Sequence, residues 1–386
     1  MLKFSGLAAA GMALSACGVA AKQQEAPAAK DFWEGKKETG NVRFANWPLY
    51  MDSDRTQLKE FTKATGIKVD YREDVQDIAA FAGKIQPKLA NGDSTGYDMF
   101  ALTTGIELAR FIALGYLAPL DHGRMPNFTR HAGAAYKDTA YDSGNKHTMP
   151  YASGITGIAY NPQFVDREIT SIADLWDPAF KGRVGMMSDA QEIGNFGLLV
   201  NGVKPAESTE KDWQAAADKL KKQRDDGIVR SYYGQDFVQP LTNGDVWLSM
   251  AWSGDIYQQN AEEGTDLKFV IPEEGATLWT DNMVIPVTSE APVDAIKLMD
   301  FLYDPEVAAS LAEYITYIPP VPAAQDVLRE QAKQASGDDR EALTALIESP
   351  LVFPTEDDYA HLHSYVELKP GEEESFTSLF HAITQA

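Results

Sequence analysis

The segment from Val246 to Val287 reads VWLSMAWSGDIYQQNAEEGTDLKFVIPEEGATLWTDNMVIPV, and it indicates the fold more directly than any other stretch. Two apolar runs in it are typical of β-strands, and each ends in a tryptophan followed closely by an acid: Trp252 with Asp255, and Trp279 with Asp281. A carboxylate accepts charge-assisted hydrogen bonds from an ammonium group, while an indole face covers methylene groups and attracts the cation. The pairing favours a flexible organic cation as ligand. The alternative is that the tryptophans fill a core and the acids face water.

The composition is that of an ordinary globular protein. The chain has 386 residues, of which 44% are hydrophobic and 24% are charged, and this length is typical of roughly two domains. The formal net charge of −23 argues against a nucleic-acid partner, because phosphate binding needs clustered lysine and arginine. The acidity is compatible with a cationic ligand, although acidic surfaces also serve solubility.

The first residues have the pattern of a secretory signal. Met1–Lys3 is short and basic, Phe4–Ala13 is apolar, and small residues precede Cys17, so we expect a signal peptide over residues 1–16. About ten apolar residues are too few to cross a bilayer, which needs about 20. Cys17 is the one cysteine of the chain, which excludes a disulfide framework and a CxxC metal or redox site.

Leu14-Ser15-Ala16-Cys17 resembles the lipobox of bacterial lipoproteins. The resemblance implies that Cys17 is lipidated and that the mature chain is soluble, lies outside the cytoplasm, in the periplasm or at the cell surface, and is anchored to a membrane by lipid. Residues 18–30, GVAAKQQEAPAAK, have the composition of a flexible spacer. We expect residues 17–40 to form the tether and ordered structure to begin near Asn41.

The chain after Asn41 alternates between strand and helix patterns. Strands are predicted at VRFANW, IKVDY and residues 97–102, and helices at residues 54–65, 78–89 and 105–114. This order predicts an α/β fold with a mainly parallel, open sheet, whose ligand lies beyond the carboxyl ends of the strands.

A second α/β unit is predicted after residue 150. Its strands are ITGIAYN, VGMM and VRSYY, and its helices lie near residues 171–176, 189–200 and 211–226. Residues 282–287 and two following helices resemble the strand and helix pattern of the first unit. A last helix is predicted at residues 372–384. We therefore assign residues 41–149 and 281–325 to lobe 1 and residues 150–280 and 326–386 to lobe 2. The chain is expected to cross near Met149, Asp281 and Pro319–Pro322.

Rings and polar groups recur at other predicted strand ends and lobe boundaries. These candidates are Trp47 and Tyr50 after the first strand, Thr103, Asp189 and Glu192 between a strand and a helix, and Tyr317 before two prolines. Asp189 and Glu192 also have the spacing of a capping box, which would satisfy backbone N–H groups at a helix start without any ligand.

Taken together, these motifs resemble those of the spermidine/putrescine-binding proteins of ABC transporters. The matching motifs occur in the family's order: NWPLY at 46–50, TGIKV at 65–69, SDAQE at 188–192, WSGD at 252–255, PEEG at 272–275, WTD at 279–281, and Tyr317. The resemblance covers nearly the whole mature chain. It implies a two-lobed, hinged periplasmic-binding-protein fold of type II, with a cleft between the lobes that closes on a polyamine.

The resemblance also implies a role for each matching residue. Trp47 and Tyr50 would be rings of lobe 1 on the ligand, Thr103 would stand where the family usually has a serine, and Tyr317 would close one wall. Trp252 and Trp279 would clamp the alkyl chain, while Glu192, Asp255 and Asp281 would bind amino groups, with Asp189 as a further acid of the site.

One departure from the family's pattern concerns Gly105. The family often has an aromatic residue here, so one wall of the aromatic box is expected to be missing. The family's last polar contact, near the C-terminus, has no recognisable counterpart in this sequence. Three acids suit a dication or a trication, since each enclosed ammonium needs a carboxylate. Counting acids therefore does not choose between putrescine and spermidine.

Three alternative functions stay open on the sequence alone. An enzyme would need catalytic groups, but the chain has no H-E-x-x-H or P-loop motif, and His361 and His363 would lie on different faces of a helix. Adjacent tyrosines, Tyr232 and Tyr233, are a feature of ferric-ion-binding relatives of the same fold, and iron bound to them would colour the protein. A surface scaffold would bind no small amine.

The sequence thus leads to one hypothesis: a lipid-anchored polyamine-binding subunit of an ABC importer. We expect a monomer with no catalytic activity, no cofactor and no metal site, which hands its ligand to permease subunits. Closure would follow from ligand contacts with both lobes, because a ligand shifts an equilibrium only through its differential contacts with the two states.

Overall fold

The computed structural model of the protein describes residue 23, residues 27–369 and residues 371–385. The predicted signal peptide and the predicted lipidation site, Cys17, lie outside the described residues. Within the described part of the chain, two α/β units share one sheet. No helix there is both long enough and apolar enough to span a membrane.

The strands and helices follow the predicted alternation closely. The strands are β1 (Asn41–Ala45), β2 (Lys68–Arg72), β3 (Met99–Thr103), β4 (Thr148–Tyr160), β5 (Val184–Met187), β6 (Val229–Tyr233), β7 (Leu248–Trp252), β8 (Lys268–Val270), β9 (Ala276–Val284) and β10 (Leu362–His363). The helices are α1 (Ala29–Trp33), α2 (Thr56–Thr65), α3 (Ile78–Asn91), α4 (Ile106–Ala113), α5 (Pro126–His131), α6 (Ala190–Leu199), α7 (Glu210–Asp225), α8 (Val238–Asn243), α9 (Ser253–Glu263), α10 (Pro292–Phe301), α11 (Pro305–Ile315), α12 (Ala323–Gln334), α13 (Asp338–Glu348), α14 (Glu356–Tyr359) and α15 (Glu373–Thr384). The helix expected at residues 171–176 is a 3-10 helix, Ile172–Trp176.

The sheet has the strand order β2-β1-β3-β9-β4-β7-β5-β6, with β10 beside β9 and β8 beside β4. At one end β1 pairs in parallel with β2 and β3, and at the other end β5 pairs in parallel with β6 and β7. In the centre β9 is antiparallel to β3 and β4, and β4 is antiparallel to β7. The predicted parallel sheet is therefore present in each outer triplet but not in the centre. The reason is that β4 carries the chain into lobe 2 and β9 carries it back.

Local signals in the sequence account for the helix boundaries around the first unit. The side chain of Asp77 accepts a hydrogen bond from the backbone N–H of Ala80 at the start of α3. Gly66 and Gly92 follow α2 and α3 with φ values of 79° and 75°, a conformation that glycine adopts without a steric penalty. These ends set the length of each helix and return the chain to the next strand.

The core of each lobe follows from the alternation of side chains along the strands. In lobe 1, Val42 and Phe44 pack in the cluster that contains α10 and α11, whereas Phe100 and Leu102 pack on the other face, in the cluster of α3 and α4. In lobe 2, α6, α7 and α15 bury their apolar faces together, as in the ring pair of Trp213 with Phe376. The predicted inward stripe of the last helix is thus part of this core.

The structure corrects the assignment of the whole segment 326–386 to lobe 2. Leu328 of α12 and Leu346 of α13 belong to the core cluster of lobe 1, while Val366 belongs to that of lobe 2. The physical reason is that α12 continues from α11 on the same side of the sheet and buries its apolar stripe there. We therefore propose that the last crossing lies after Val352, not at Pro319–Pro322.

A helix also lies in the stretch that was expected to be part of the tether. Phe32 and Trp33 of α1 are each only 7% exposed and belong to the core cluster of lobe 1. The indole N–H of Trp33 donates to the backbone carbonyl of Pro119 at 2.8 Å, and the guanidinium of Arg124 lies 5.4 Å from the Trp33 ring centre. The expectation that ordered structure begins near Asn41 is therefore corrected: α1 precedes Asn41, and two of its aromatic rings dock on lobe 1.

Candidate functional site

One cleft of about 600 Å³ contains all ten predicted site residues among its lining residues. Lobe 1 supplies Trp47, Tyr50 and Thr103; lobe 2 supplies Asp189, Glu192, Trp252 and Asp255; β9 and the turn after α11 supply Trp279, Asp281 and Tyr317. The lobe residues lie at or just after the carboxyl ends of β1, β3, β5 and β7. This is the position at which open α/β sheets hold ligands.

Asp281 is the acid around which the lobe 1 side of the cleft is built. It is only 2% exposed and lies opposite Thr103 in the β3–β9 pairing. Its carboxylate accepts hydrogen bonds from the indole N–H of Trp47 at 3.2 Å, from the hydroxyl of Tyr50 at 2.7 Å and from the hydroxyl of Thr103. Burial raises the pKa of Asp281 to about 6, although these three donors oppose the rise. The arrangement holds the carboxylate in place beside two rings.

Glu192 is the corresponding acid on the lobe 2 side. Its Oε1 accepts hydrogen bonds from the hydroxyls of Thr156 and Tyr365, at 2.8 and 2.9 Å, and from the indole N–H of Trp252 at 3.1 Å. Its Oε2 is buried and has no hydrogen-bond partner among the described residues. Burial, reinforced by the nearby charge of Asp189, raises the pKa of Glu192 to about 7. One oxygen of this carboxylate is therefore fixed by the protein while the other is free to accept from a ligand.

The third acid, Asp255, is half-buried and lies in the first turn of α9. It accepts a hydrogen bond from the hydroxyl of Tyr317 at 2.7 Å, and burial raises its pKa to about 6. The Tyr317 ring lies 5.2 Å from that of Trp279 and 5.9 Å from that of Tyr50, between ring centres. These rings form a continuous aromatic wall between the two lobes.

Asp189 has the structural role that its sequence position allowed. Its Oδ1 accepts hydrogen bonds from the backbone N–H groups of Gln191 and Glu192, at 2.8 and 3.1 Å, so it caps the start of α6. Glu192 does not complete a capping box, because its side chain turns towards Thr156, Trp252 and Tyr365. Asp189 nevertheless lines the cleft, and a ligand contact from it stays a prediction.

The charge of the cleft lining has one sign. The acids that line it are Asp77, Glu107, Asp189, Glu192, Asp255, Glu262 and Asp281, and no described lining residue is lysine, arginine or histidine. Carboxylates that share a poorly solvated space without a cation raise one another's pKa and that of their neighbours. The cleft is thus suited to a positively charged molecule.

The structure gives a local reason for the glycine at position 105. Gly105 has φ 132°, and a Cβ atom there would lie 2.4 Å from Nε2 of Gln191. The amide of Gln191 therefore occupies the space above Gly105. The aromatic ring that the family often has at this position is absent, and a polar side chain takes its place.

Two residues of the site were not identified from the sequence: Tyr365, which lines the cleft, and Thr156, which bonds to the lining residues Glu192 and Trp279. Tyr365 lies in an irregular stretch after β10, where no periodic pattern indicates which side chains point inward. Thr156 lies inside β4, and its hydroxyl donates to Glu192 and accepts from the indole N–H of Trp279 at 3.1 Å. Its position among the apolar residues of ITGIAYN was the available signal for a buried polar role.

The alternative chemistries find little support in the geometry. Tyr232 and Tyr233 are consecutive on β6, so they face opposite sides of the sheet. Tyr233 lines the cleft, whereas the hydroxyl of Tyr232 is buried without a hydrogen-bond partner in the described part of the chain. Among the described residues no group of three or more histidine, cysteine, aspartate or glutamate residues could hold a metal ion.

A G-x-S-x-G pattern, GDSTG at residues 92–96, also occurs in the chain. It follows α3 and precedes β3, whereas the nucleophile elbow of hydrolases requires a turn from strand to helix. The pattern is therefore a loop and does not indicate a hydrolase.

Comparison with known proteins gives one consistent result. The family model for bacterial extracellular solute-binding proteins matches residues 56–339. The spermidine/putrescine-binding periplasmic protein of Escherichia coli (strain K12) is 30% identical over 292 residues, which are 75% of this chain and 80% of the relative. The putrescine-binding periplasmic protein SpuD of Pseudomonas aeruginosa (strain UCBPP-PA14) is 29% identical over 349 residues, 86% of this chain and 88% of the relative.

A solved structure agrees with these sequence matches. The crystal structure of the spermidine/putrescine ABC transporter substrate-binding protein PotD from Streptococcus pneumoniae has a TM-score of 0.73 and 25% sequence identity, and the match covers 89% of this chain and 98% of that chain. The predicted two-lobed solute-binding fold is thereby confirmed. The chain belongs to the family of bacterial extracellular solute-binding proteins.

Proposed function

We propose that this protein captures polyamines such as putrescine or spermidine in the cleft between its lobes and delivers them to an ABC importer, without catalytic activity of its own. The observation that carries the proposal is a cleft with the buried carboxylates of Glu192 and Asp281, the half-buried carboxylate of Asp255, an aromatic wall and no basic lining residue in the described chain. Polyamines combine several ammonium groups with flexible methylene segments, so they match both features.

The physical basis is compensation for lost hydration. An ammonium group taken out of water needs carboxylates and further acceptors, since an isolated buried charge is strongly unfavourable. The free Oε2 of Glu192 and the fixed carboxylates of Asp255 and Asp281 would supply these acceptors. Trp252, Trp279 and the tyrosine rings would cover the methylene groups between them.

The names of the relatives support the same class of ligand. The Escherichia coli relative is a spermidine/putrescine-binding protein, and the Pseudomonas aeruginosa relative is a putrescine-binding protein. The Streptococcus pneumoniae structure is the substrate-binding protein of an ABC transporter. We propose the same partner class here, with the closed form as the one that permease subunits recognise.

The proposal includes the place of the protein in the cell. The signal-peptide pattern and the lipobox-like Leu14–Cys17 support an extracytoplasmic protein, anchored by lipid at Cys17 in the periplasm or at the cell surface. We further propose that it acts as a monomer, since both walls of the cleft are formed by residues of the two lobes of one chain.

Calorimetric titration tests the proposal directly. The protein would carry Cys17→Ser to prevent lipidation and would keep residues 27–40, because α1 packs on lobe 1. Putrescine, cadaverine, spermidine and spermine would each be titrated, with the dianion succinate as a control of similar length. We expect one binding site for at least one amine and none for succinate. No binding of any of the four amines at about 1 mM, a free energy near −4 kcal/mol, would refute the proposal.

A further inference from the structure

The two lobes touch each other directly at the start of α4, beside the cleft. We propose that this closing contact, formed by Ile106 and Arg110 of lobe 1 with Gln191 and Glu373 of lobe 2, holds the lobes together independently of the ligand and so sets the affinity of the site. The inference rests on the proposed function only where polyamine affinity is concerned. Arg110 and Gln191 are positioning residues in this proposal.

The first part of the closing contact is a buried hydrogen bond. The backbone N–H of Ile106 donates to Oε1 of Gln191 at 3.1 Å, and both residues are only 7% exposed. The first N–H groups of a helix have no partner within the helix, so the lobe 2 side chain satisfies a lobe 1 backbone group. Opening the cleft would break this bond and leave the N–H of Ile106 to water.

The second part is apolar. The side chain of Ile106 belongs to the hydrophobic cluster of lobe 2, although α4 itself packs on lobe 1 through Leu108 and Phe111. Gly105 lets the chain approach this closely, because any Cβ at that position would collide with the Gln191 amide. Separation of the lobes would expose Ile106 to water, so the burial of this apolar side chain stabilises the closed form.

The third part is an ion pair. Nη2 of Arg110 lies 2.9 Å from Oε2 of Glu373, and Glu373 opens α15, which packs on α6 and α7 in lobe 2. Nη1 of Arg110 also lies 4.0 Å from Oε1 of Glu107. Burial raises the pKa of Glu107; Arg110 opposes the rise, and Asp189 and Glu373 add to it. Arg110 is thus the cation that lets acids of both lobes approach one another.

This arrangement separates closing from ligand binding. Arg110, Glu373 and Ile106 are not among the lining residues of the cleft, whereas Gln191 is. The Arg110 variants therefore report on closing without a change in any residue that lines the cleft. The apparent affinity of a ligand is the intrinsic affinity multiplied by the fraction of protein in the competent form. Strengthening or weakening the closing contact should therefore change the affinity, chiefly through the dissociation rate.

The test compares variants of the closing contact with a matched ion pair inside one lobe. The variants are Arg110→Ala, Gln191→Ala and the exchange Arg110→Glu with Glu373→Arg, all in the chain with Cys17→Ser. The control is Glu73→Ala, since Arg55 and Glu73 form an ion pair within lobe 1 at 31% and 34% exposure, close to the 33% and 27% of Arg110 and Glu373. The readouts are small-angle X-ray scattering without ligand and the dissociation rate of bound polyamine.

We expect Arg110→Ala to increase the radius of gyration of the ligand-free protein and to speed polyamine dissociation about 2- to 5-fold, the range for a partly exposed ion pair. For Gln191→Ala we expect about 2- to 10-fold, because the lost hydrogen bond is buried. The charge exchange should recover part of the Arg110→Ala effect, and Glu73→Ala should change neither quantity.

Two outcomes would overturn the inference. One is that Arg110→Ala and Gln191→Ala both leave the scattering and the dissociation rate at the wild-type values. The other is that Glu73→Ala changes them as much. If the unmodified chain binds no polyamine, the proposed function fails, while the scattering of the ligand-free variants still decides whether the closing contact exists.

Discussion

Replacement of Asp281 by asparagine should weaken ligand binding while it stabilises the ligand-free protein. Asparagine keeps the shape of the side chain: its oxygen can accept from Trp47 and Thr103, and its amide can donate to the hydroxyl of Tyr50, the residues that now donate to the carboxylate. The change therefore removes a charge and little else. Removal of one partner from a buried, hydrogen-bonded charge pair costs about 2 to 5 kcal/mol, which is about 30- to 5,000-fold in Kd.

The gain in stability follows from the pKa of the same carboxyl group. Burial raises that pKa from 3.8 to about 6, so the folded protein favours the protonated form. Stability from this group is present at low pH and is lost as the pH rises through about 6, because the charged form must then be buried. Above pH 7, a pKa rise of about two units lowers the free energy of unfolding by about 3 kcal/mol. Because asparagine carries no charge, Asp281→Asn should restore about 1 to 3 kcal/mol of this free energy of unfolding.

Calorimetry for polyamine affinity and urea unfolding at about pH 7.5 would measure both effects. Asp93→Asn is the matched control, because Asp93 is exposed and lies outside the cleft; it should change neither quantity. If Asp281→Asn bound polyamine within about 3-fold of the wild type, a difference of less than 1 kcal/mol, this acid would hold no buried ammonium group. A large loss of stability would show that the carboxylate supports the fold instead.

Three further outcomes are expected. Polyamine affinity should rise from about pH 5 to about pH 8 with release of protons, because burial raises the pKa of Glu192 to about 7 and protons compete with the ligand; titration in buffers of different ionisation enthalpy checks this, and a pH-independent Kd would contradict it. Tyr365→Phe removes a donor to Glu192 and should weaken binding about 2- to 10-fold. Tyr232→Phe should leave affinity unchanged, since no described residue bonds to that hydroxyl; equal effects of the two changes would speak against the role of Tyr365. Trp33→Ala should lower the free energy of unfolding by about 3 to 5 kcal/mol without changing affinity, and urea unfolding with a change below about 1 kcal/mol would show that α1 is not docked.

Several of the predicted site residues that line the cleft share one property: their position follows from local pattern. Thr103 ends a buried apolar run and Trp47 follows an alternating one, so both lie at strand ends whatever the rest of the chain does. The carboxyl ends of parallel strands meet on one edge of a sheet. Local pattern and this one rule were enough to bring rings and acids together.

What could not be predicted depends on contacts between distant parts of the chain. Thr103 and Asp281 are cross-strand partners in β3 and β9, and no periodicity in either segment specifies that pairing. The amphipathic stripe of α12 predicts a buried face but not which lobe buries it, and Leu328 packs on lobe 1. Tyr365 lies in an irregular segment, so its place beside Glu192 is a result of tertiary structure alone.

The docking of α1 has a consequence for how far the protein can travel from its proposed lipid. With attachment at Cys17, eleven residues, 18–28, separate the lipid from α1. Eleven residues span at most about 40 Å. A tether that continued to residue 40, as expected from the sequence, would span about 80 Å. Because Trp33 packs beside Pro119 and Arg124, the proposed anchor would hold lobe 1 within about half that distance of the bilayer. We therefore expect the protein to meet its proposed transporter close to the membrane surface.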